Sequence, residues 1–147
     1  MTPDSSTVRA FVTLTTKLSD LSFRPFYRKM FDWAWGPQAA EISVHRRLAY
    51  FTSMATLLTV LKVSNSALNY HLCSTFQQGL ITPYLAPLLE PAMELLDESS
   101  KQRHIDSELW VPMIRFLKLS FEVDEGGELE TYFKGILDLT TASILEG

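Results

Sequence analysis

The 147-residue chain has 46% apolar and 20% charged residues, so it can bury one core of ordinary size and is not expected to be disordered. Its net charge of -4 argues against a general nucleic-acid-binding class, and its single cysteine, Cys73, excludes an intramolecular disulfide and favours a reducing compartment. The charge is uneven: residues 1–73 carry a net +4 and residues 74–147 a net -8, which would let the two ends prefer different neighbours.

Neither a leader nor a membrane span is expected. The first ten residues, MTPDSSTVRA, lack the basic start and apolar run of a secretory signal, which predicts an intracellular protein. Lys62 and Glu90 bound a stretch without formal charge, but polar residues and the prolines Pro83 and Pro87 interrupt it. A bilayer span needs about 20 predominantly apolar residues, so this stretch is not predicted to cross a membrane.

Helical spacing of apolar residues runs through every long segment, and no segment shows the alternation of a strand, which predicts an all-α protein. A first helix is expected from Val8 to Leu18. Ser5, Ser6 and Thr7 are its candidate N-terminal caps.

The stretch SFRPFYRKMFDWAW at 22–35 predicts a second helix. Ser22 is its expected N-cap, Pro25 falls in its expected first turn, and the Gly-Pro pair at 36–37 ends it. One face is predicted to be apolar, with Phe23, Phe26, Tyr27, Met30, Phe31 and Ala34. The other face is predicted to be polar, with Arg24, Arg28, Lys29 and Asp32.

A third helix is expected from about Ile42 to Lys62, with a central stretch, 48–61, that is apolar apart from Ser and Thr. Such a helix can be covered on both sides when it lies between neighbours in a stack. Its predicted buried side holds Val44, Leu48, Phe51, Ala55, Leu58 and Leu61. The polar residues at 64–66 are expected to restart the chain, and Leu68, Leu72, Thr75 and Phe76 form the next apolar stripe.

Three prolines four residues apart mark the segment TPYLAPLLEPAMELLDESS at 82–100. Pro83 resembles a helix start, whereas Pro87 and Pro91 each remove a backbone hydrogen bond. The segment 80–97 is therefore expected to be helical but bent or broken into short pieces. The polar run at 97–106 is the predicted loop between the two halves.

Two further helices are expected after this loop. Ser107 is the predicted cap of the first, and the acidic turn at 122–128 ends it. The apolar residues of this helix are Leu109, Trp110, Met113, Ile114, Leu117 and Phe121. The last helix carries one stripe of Leu129, Tyr132, Phe133, Ile136, Leu137, Thr140 and Ile144. The short connections predict antiparallel neighbours, in either a compact bundle or a stack of helix pairs.

No motif of catalytic chemistry is present. The three histidines lie in separate segments without the i, i+4 spacing of a helical metal site, and the acidic turn lacks the residue order of a calcium loop. Nucleotide-binding loops and nucleophile elbows are absent from the sequence. We therefore expect no enzyme activity, no cofactor, no metal and no catalytic residue.

The basic residues are the remaining candidates for a contact site. Arg24, Arg28, Lys29, Arg46 and Arg47 could contact RNA phosphates or a partner protein. The alternative is that they only keep the outer faces of two helices soluble. Either way, the rings of the second helix are expected to serve packing.

Four stretches in the same order carry a resemblance to a known family. KLSDLSFRPFYRKMFDWA at 17–34 resembles a signature in the C-terminal region of the large HEAT-repeat, U3 small nucleolar RNA-associated proteins of the small-subunit processome. RRLAYFTSMATLLTVLK at 46–62, ITPYLAPLLEPAMELL at 81–96 and LWVPMIRFLKLSFEVDEGG at 109–127 are similar to stretches that follow it, the last in its fungal form.

The resemblance implies a HEAT-like α-solenoid of stacked antiparallel helix pairs, with the chain as a single helical-repeat segment, 1–147, of a longer C-terminal solenoid. It also implies a scaffold in nucleolar ribosome biogenesis that supports pre-18S rRNA processing. The implied partners are other processome proteins and, as further candidates, pre-rRNA or U3 small nucleolar RNA, without a membrane or a small-molecule substrate. The alternative kept open is a self-contained helical bundle that binds RNA through its basic helix face.

Overall fold

The computed structural model describes residues 5–37, 40–66, 78–102, 107–124 and 126–145. Within these ranges the chain forms six α-helices and no β-strand, so the all-α prediction is confirmed. The helices are α1 (Ser5–Thr15), α2 (Asp20–Trp35), α3 (Ala40–Ser66), α4 (Gln78–Gln102), α5 (Ser107–Val123) and α6 (Glu130–Leu145). The apolar stripe predicted at 68–76 and the residues Cys73, His71 and His104 lie outside the described ranges.

The helices are stacked in two layers of alternate elements. The first layer contains α1, α3 and α5, in which α3 packs against both of the others. In the second layer α4 packs against α6, and rings of α2 contact Tyr84 of α4. Packing between elements i and i+2 is typical of helical-repeat stacks, where each pair buries its apolar side against the next pair. The fold is therefore a HEAT-like α-solenoid of three helix pairs.

The middle helix of the first layer, α3, is the centre of the core. It contacts α1, α2, α4 and α5, which explains why it is apolar on more than one side. Most of the predicted buried residues of α3 are in the core, and the structure adds Tyr50, Ser53, Met54 and Leu57 to them. The prediction that this helix lies between neighbours in a stack is confirmed.

Aromatic rings connect the layers through the core. Trp35 at the end of α2 packs edge-on against Tyr50 and Phe51 of α3, with ring centroids 5.1 and 5.7 Å apart. Phe51 in turn lies 5.3 Å from Phe116 of α5. Such ring pairs contribute about 0.5–1.5 kcal/mol each beyond the area they bury. They hold the C-terminal end of α2 to the first layer.

The start of α2 lies earlier than predicted. Its N-cap is Ser19, whose side-chain oxygen accepts a hydrogen bond from the Ser22 N–H at 3.4 Å, so the prediction of Ser22 as cap is wrong. Pro25 consequently lies inside the helix, beyond its first turn. The end is as predicted, because the Gly36 N–H donates to the Asp32 carbonyl at 2.7 Å and caps the last turn.

The predicted breaks in α4 do not occur. Pro83, Pro87 and Pro91 all lie within one helix of 25 residues, which also includes residues 97–102 of the predicted polar loop. The three missing N–H groups are spaced four residues apart, so the lost hydrogen bonds fall in one row and leave the rest of the helix intact. Residues of the other faces hold the helix by burial, among them the fully buried Leu85, Leu88, Leu89 and Ala92.

Two smaller boundaries also differ from the sequence predictions. Helix α1 begins at Ser5, so Ser5, Ser6 and Thr7 lie in its first turn. Helix α3 continues through Ser66, so the polar residues at 64–66 belong to its end. Because Ser and Asn cost a helix less than Gly or Pro, a polar triplet does not by itself stop it.

The turn between α5 and α6 is built on Asp124. Its two carboxylate oxygens accept the N–H groups of Glu128 at 3.1 Å and Leu129 at 2.7 Å. Gly127 supplies the positive φ of 68° that this turn requires. Beyond this turn Phe121 of α5 contacts Phe133 of α6, with ring centroids 5.3 Å apart. The acidic turn therefore serves a structural role and ends α5 as predicted.

Candidate partner-contact surface

The outer face of α2 carries three of the five predicted contact residues. Arg24, Arg28 and Lys29 are exposed, as the helical spacing predicted. Together with Pro25 and Asp32 they line a depression of about 310 Å³. Neither Arg28 nor Lys29 forms an ion pair or a side-chain hydrogen bond within the described part of the chain. Arg28 and Lys29 are consequently available to an anionic partner.

A larger depression lies beside them, between α2 and α4. Its volume is about 550 Å³. We call it the α2/α4 groove, and it is lined by Arg24, Tyr27, Arg28, Phe31, Asp32, Pro83, Tyr84 and Pro87. Arg24, Arg28 and Asp32 line both the groove and the smaller depression. The surface therefore combines a cationic edge with an apolar interior.

The floor of the α2/α4 groove is fixed by one hydrogen bond between the helices. The Tyr27 hydroxyl donates to the Tyr84 carbonyl at 2.7 Å, and the two rings pack edge-on with centroids 5.1 Å apart. Burial raises the pKa of the Tyr27 hydroxyl well above its ordinary value, so the group stays protonated and remains a donor. The floor of the groove is thus neutral and holds the two helices together by a hydrogen bond.

The other two predicted contact residues are held against tryptophans. Arg46 lies over the Trp33 ring at 5.3 Å and donates to the Trp33 carbonyl at 3.3 Å. Arg47 lies over the Trp35 ring at 5.9 Å, and its Nε is buried without a hydrogen-bond partner among the described residues. Both guanidinium groups are engaged in cation–π contacts that join α3 to α2. The structure does not line the α2/α4 groove or the smaller depression with them.

A second surface lies at the outer end of the stack. Phe133 and Leu137 of α6, which belong to the predicted apolar stripe, are 50% and 51% exposed. They lie beside an apolar depression of about 360 Å³ between α5 and α6. We call it the α5/α6 groove, and it is lined by Ile114, Leu117, Lys118, Phe121, Glu122, Phe133, Ile136 and Leu137.

One charged cluster on the rim of the α5/α6 groove is satisfied within the chain. Glu122 accepts a hydrogen bond from Lys62 of α3 at 2.6 Å and lies 3.9 Å from Lys118. The hydrogen bond from Lys62 lowers the pKa of the Glu122 carboxyl. The groove itself therefore presents an apolar face, and only Lys118 adds charge that is mostly exposed.

The described residues show no gathering of three or more His, Cys, Asp or Glu side chains that could hold a metal ion. Among the described helices, none combines the length and the apolar character that crossing a membrane requires. The α2/α4 groove is lined by two arginines, Asp32 and aromatic and proline side chains, and the α5/α6 groove mainly by apolar side chains.

Sequence reasoning missed half of the α2/α4 groove. Pro83, Tyr84 and Pro87 line it from α4, and the sequence predicted only their effect on helix geometry. Nothing local in the sequence indicates that α2 and α4 lie side by side, because helix periodicity gives a face but not its neighbour. The spacing of the prolines every four residues was the available signal, since it places them on one face.

Comparisons with known proteins agree on one family. The family model of the BP28CT (NUC211) domain matches residues 2–128. The U3 small nucleolar RNA-associated protein 10 of Mycosarcoma maydis is 32% identical over 126 residues, which cover 79% of this chain and 5% of that protein. Its namesake in Aspergillus terreus is 27% identical over 114 residues, covering 78% of this chain and 6% of that protein. No solved structure matches the chain significantly.

The stacked helix pairs and the open face at one end define a helical-repeat protein. Within that class, the chain belongs to the BP28CT (NUC211) domain family. It spans only 5–6% of the length of the curated relatives that it matches. The resemblance carried by residues 17–34, 46–62, 81–96 and 109–127 is thereby confirmed at the level of the family.

Proposed function

We propose that this chain is a non-catalytic scaffold segment of the small-subunit processome, located in the nucleolus, where it supports pre-18S rRNA processing. The observation that carries the proposal is the family match over residues 2–128, because the relatives are named as associated with U3 small nucleolar RNA. Its partners in this role are other processome proteins and, as candidates, U3 small nucleolar RNA or pre-rRNA. The role involves no cofactor, small-molecule substrate or membrane.

The geometry supports a scaffold because the described helices form two grooved contact surfaces. Helical-repeat stacks offer long faces on which several partners can be arranged. The α2/α4 groove and the α5/α6 groove are lined by different helices of the chain and differ in chemistry, one cationic and one apolar. Two partners could therefore be held on one rigid element.

The alternative of a self-contained RNA-binding bundle is supported less well. It requires Arg24, Arg28, Lys29, Arg46 and Arg47 to act as one phosphate-binding face. Arg46 and Arg47 instead lie against Trp33 and Trp35. The helices are also stacked by alternate elements, as in a repeat protein, and not closed around one axis.

The proposal is tested in the source organism by depletion of the protein and by purification of its tagged native form. We expect precursors of 18S rRNA to accumulate on Northern blots, and U3 small nucleolar RNA to be enriched with the tagged protein over an unrelated small nucleolar RNA. Normal maturation of 18S rRNA together with no enrichment of U3 would contradict the proposal.

A further inference from the structure

The second layer of the stack is closed on one side of α4 and open on the other. At the closed side α4 and α6 pack directly, and a Cβ placed on Gly135 would lie 2.7 Å from the end of the Met93 side chain. At the open side α2 reaches α4 through rings, with Phe23 and Tyr27 each packed against Tyr84. The α2/α4 groove occupies the space that this wider separation leaves.

The two walls of the groove offer complementary hydrogen-bonding groups. Arg24 and Arg28 lie one turn apart on the α2 wall and make it positively charged, and Arg28 presents guanidinium donors. Pro83 and Pro87 lie one turn apart on the α4 wall. Since Pro87 has no N–H, the Pro83 carbonyl lacks its helical donor on the face that lines the groove. An occupant can therefore give a negative charge to one wall and an N–H to the other.

The interior of the groove suits apolar side chains better than nucleic-acid bases. Base stacking needs an open ring face. The Tyr84 ring is buried, and the Phe31 ring is already stacked on Trp35 with centroids 4.8 Å apart. Asp32 also lies on the rim one turn from Arg28, where it would repel a continuing run of phosphates. One or two negative charges fit this rim, whereas a phosphodiester chain does not.

We propose that the α2/α4 groove docks an acidic peptide segment of a partner protein. A carboxylate of the segment pairs with Arg28 beside Arg24, an apolar side chain rests on Tyr27 and Phe31, and a peptide N–H donates to the Pro83 carbonyl. The charge of the rim is the argument for an acidic segment. The proposal names the kind of partner that the scaffold holds, so it rests on the proposed function.

The test is a selection from a random peptide library displayed on phage, with the purified chain as target. We expect the selected peptides to be enriched in Asp and Glu next to apolar residues. Labelled synthetic forms of these peptides should bind about tenfold more weakly to the Arg24→Gln/Arg28→Gln variant, because charge-assisted hydrogen bonds are lost. The control variant Arg9→Gln/Lys17→Gln removes the same charge from exposed positions outside the groove and should bind like the wild type.

A second variant changes the α4 wall of the groove without changing its charge. Pro87→Ala restores an N–H that can occupy the Pro83 carbonyl and removes the proline ring from the groove wall. It should weaken peptide binding by about threefold while the helix content by circular dichroism stays unchanged, since only one hydrogen bond and one apolar contact change. Loss of binding is then not explained by loss of folding.

Three outcomes would overturn the proposal. The first is a selection without acidic enrichment. The second is that acidic peptides bind Arg24→Gln/Arg28→Gln with unchanged affinity. The third is that a labelled single-stranded oligouridylate binds in a way that depends on these arginines, while acidic peptides do not bind. Because this assay uses the purified chain, it can fail while association with U3 small nucleolar RNA in cells still holds. Failure of the inference and failure of the proposed function are thus distinguishable.

Discussion

The hydroxyl groups of Tyr27 and Tyr50 differ in their hydrogen bonding. The Tyr27 hydroxyl donates to the Tyr84 carbonyl, whereas the fully buried Tyr50 hydroxyl has no hydrogen-bond partner with regular geometry among the described residues. Burial is the main cause that raises the pKa of both hydroxyls, and the nearby Tyr27 hydroxyl raises the pKa of Tyr50 further. A buried polar group without a partner costs free energy that an apolar group of the same shape does not.

We therefore expect the two Tyr→Phe substitutions to have opposite effects on the free energy of unfolding. Tyr50→Phe removes the unpartnered hydroxyl and should be neutral or stabilise by up to about 1 kcal/mol. Tyr27→Phe removes a hydrogen bond and should destabilise by about 1 kcal/mol. Urea titrations followed by circular dichroism measure both. Equal destabilisation by the two substitutions would show that the Tyr50 hydroxyl has a partner in solution.

The same tyrosines predict a loss of stability at alkaline pH. The pKa of both hydroxyls is raised in the folded chain above the ordinary value of 10.0. At a pH between 10.0 and the raised pKa, the folded chain therefore binds more protons than the unfolded chain. Stability is therefore fully present below pH 10 and falls as the pH rises above it. Thermal unfolding between neutral and alkaline pH tests this, and the double variant Tyr27→Phe/Tyr50→Phe should lose less stability over that range.

The stripe of α2 and the positions of its cations were predictable at the residue scale because both follow from helical spacing alone. What Arg46 and Arg47 do was not predictable in this way. The sequence places both in the first turns of a helix and suggests exposed charges. The docking of α2 on α3 instead brings the Trp33 ring under Arg46 and the Trp35 ring under Arg47. A contact between two elements depends on their docking, which the local spacing of residues does not contain.

Helix α4 shows how burial outweighs propensity at the scale of an element. Each interior proline costs a helix about 3 kcal/mol relative to alanine. The buried leucines of α4 offset this, at about 1.5–3 kcal/mol for each fully buried side chain. The sequence shows the prolines and the leucines equally clearly, but the extent of burial is known only once α5 and α6 are in place. The predicted breaks were wrong for this reason.

Replacement of one proline should make α4 more stable. Pro87→Ala restores a backbone hydrogen bond on an exposed face of the helix, which favours folding. It also raises the conformational entropy of the unfolded chain, which opposes folding. We expect a net stabilisation of about 1–2 kcal/mol in urea titrations. The control is Pro37→Ala, since Pro37 is exposed and lies outside any helix, and it should be neutral or slightly destabilising. Destabilisation by Pro87→Ala would show that the ring makes an essential contact.

Stacking of alternate helices is the defining feature of the whole molecule, and it leaves the α5/α6 end face uncovered. Within the stack, α3 and α4 are covered by α5 and α6, while Phe133 and Leu137 are each about half exposed. The periodicity of the last helix predicted that these residues share one stripe. It could not predict their exposure, because a stripe shows which residues lie together and not whether anything covers them.

Phe133 and Leu137 should therefore contribute to self-association of the chain but little to its free energy of unfolding. We expect Phe133→Ser/Leu137→Ser to suppress concentration-dependent association in sedimentation experiments, because it removes an exposed apolar patch. Its free energy of unfolding should fall by much less than that of Ile136→Ser. Ile136 is the matched control from the same groove, and because it is buried its replacement should cost about 2–4 kcal/mol. A monomeric wild type at all concentrations would contradict this expectation.

The open end face also has a consequence for the motions of the chain. A helix packed on one side only opens at a lower free energy than a helix with neighbours on several sides. Helix α6 is attached to α4 but exposed at Phe133 and Leu137, whereas α3 packs against α1, α2, α4 and α5. Backbone amides of α6 should therefore exchange with deuterium before those of α3. A partner that covers this end should slow the hydrogen–deuterium exchange of the α6 amides, even where it does not change the position of the helix.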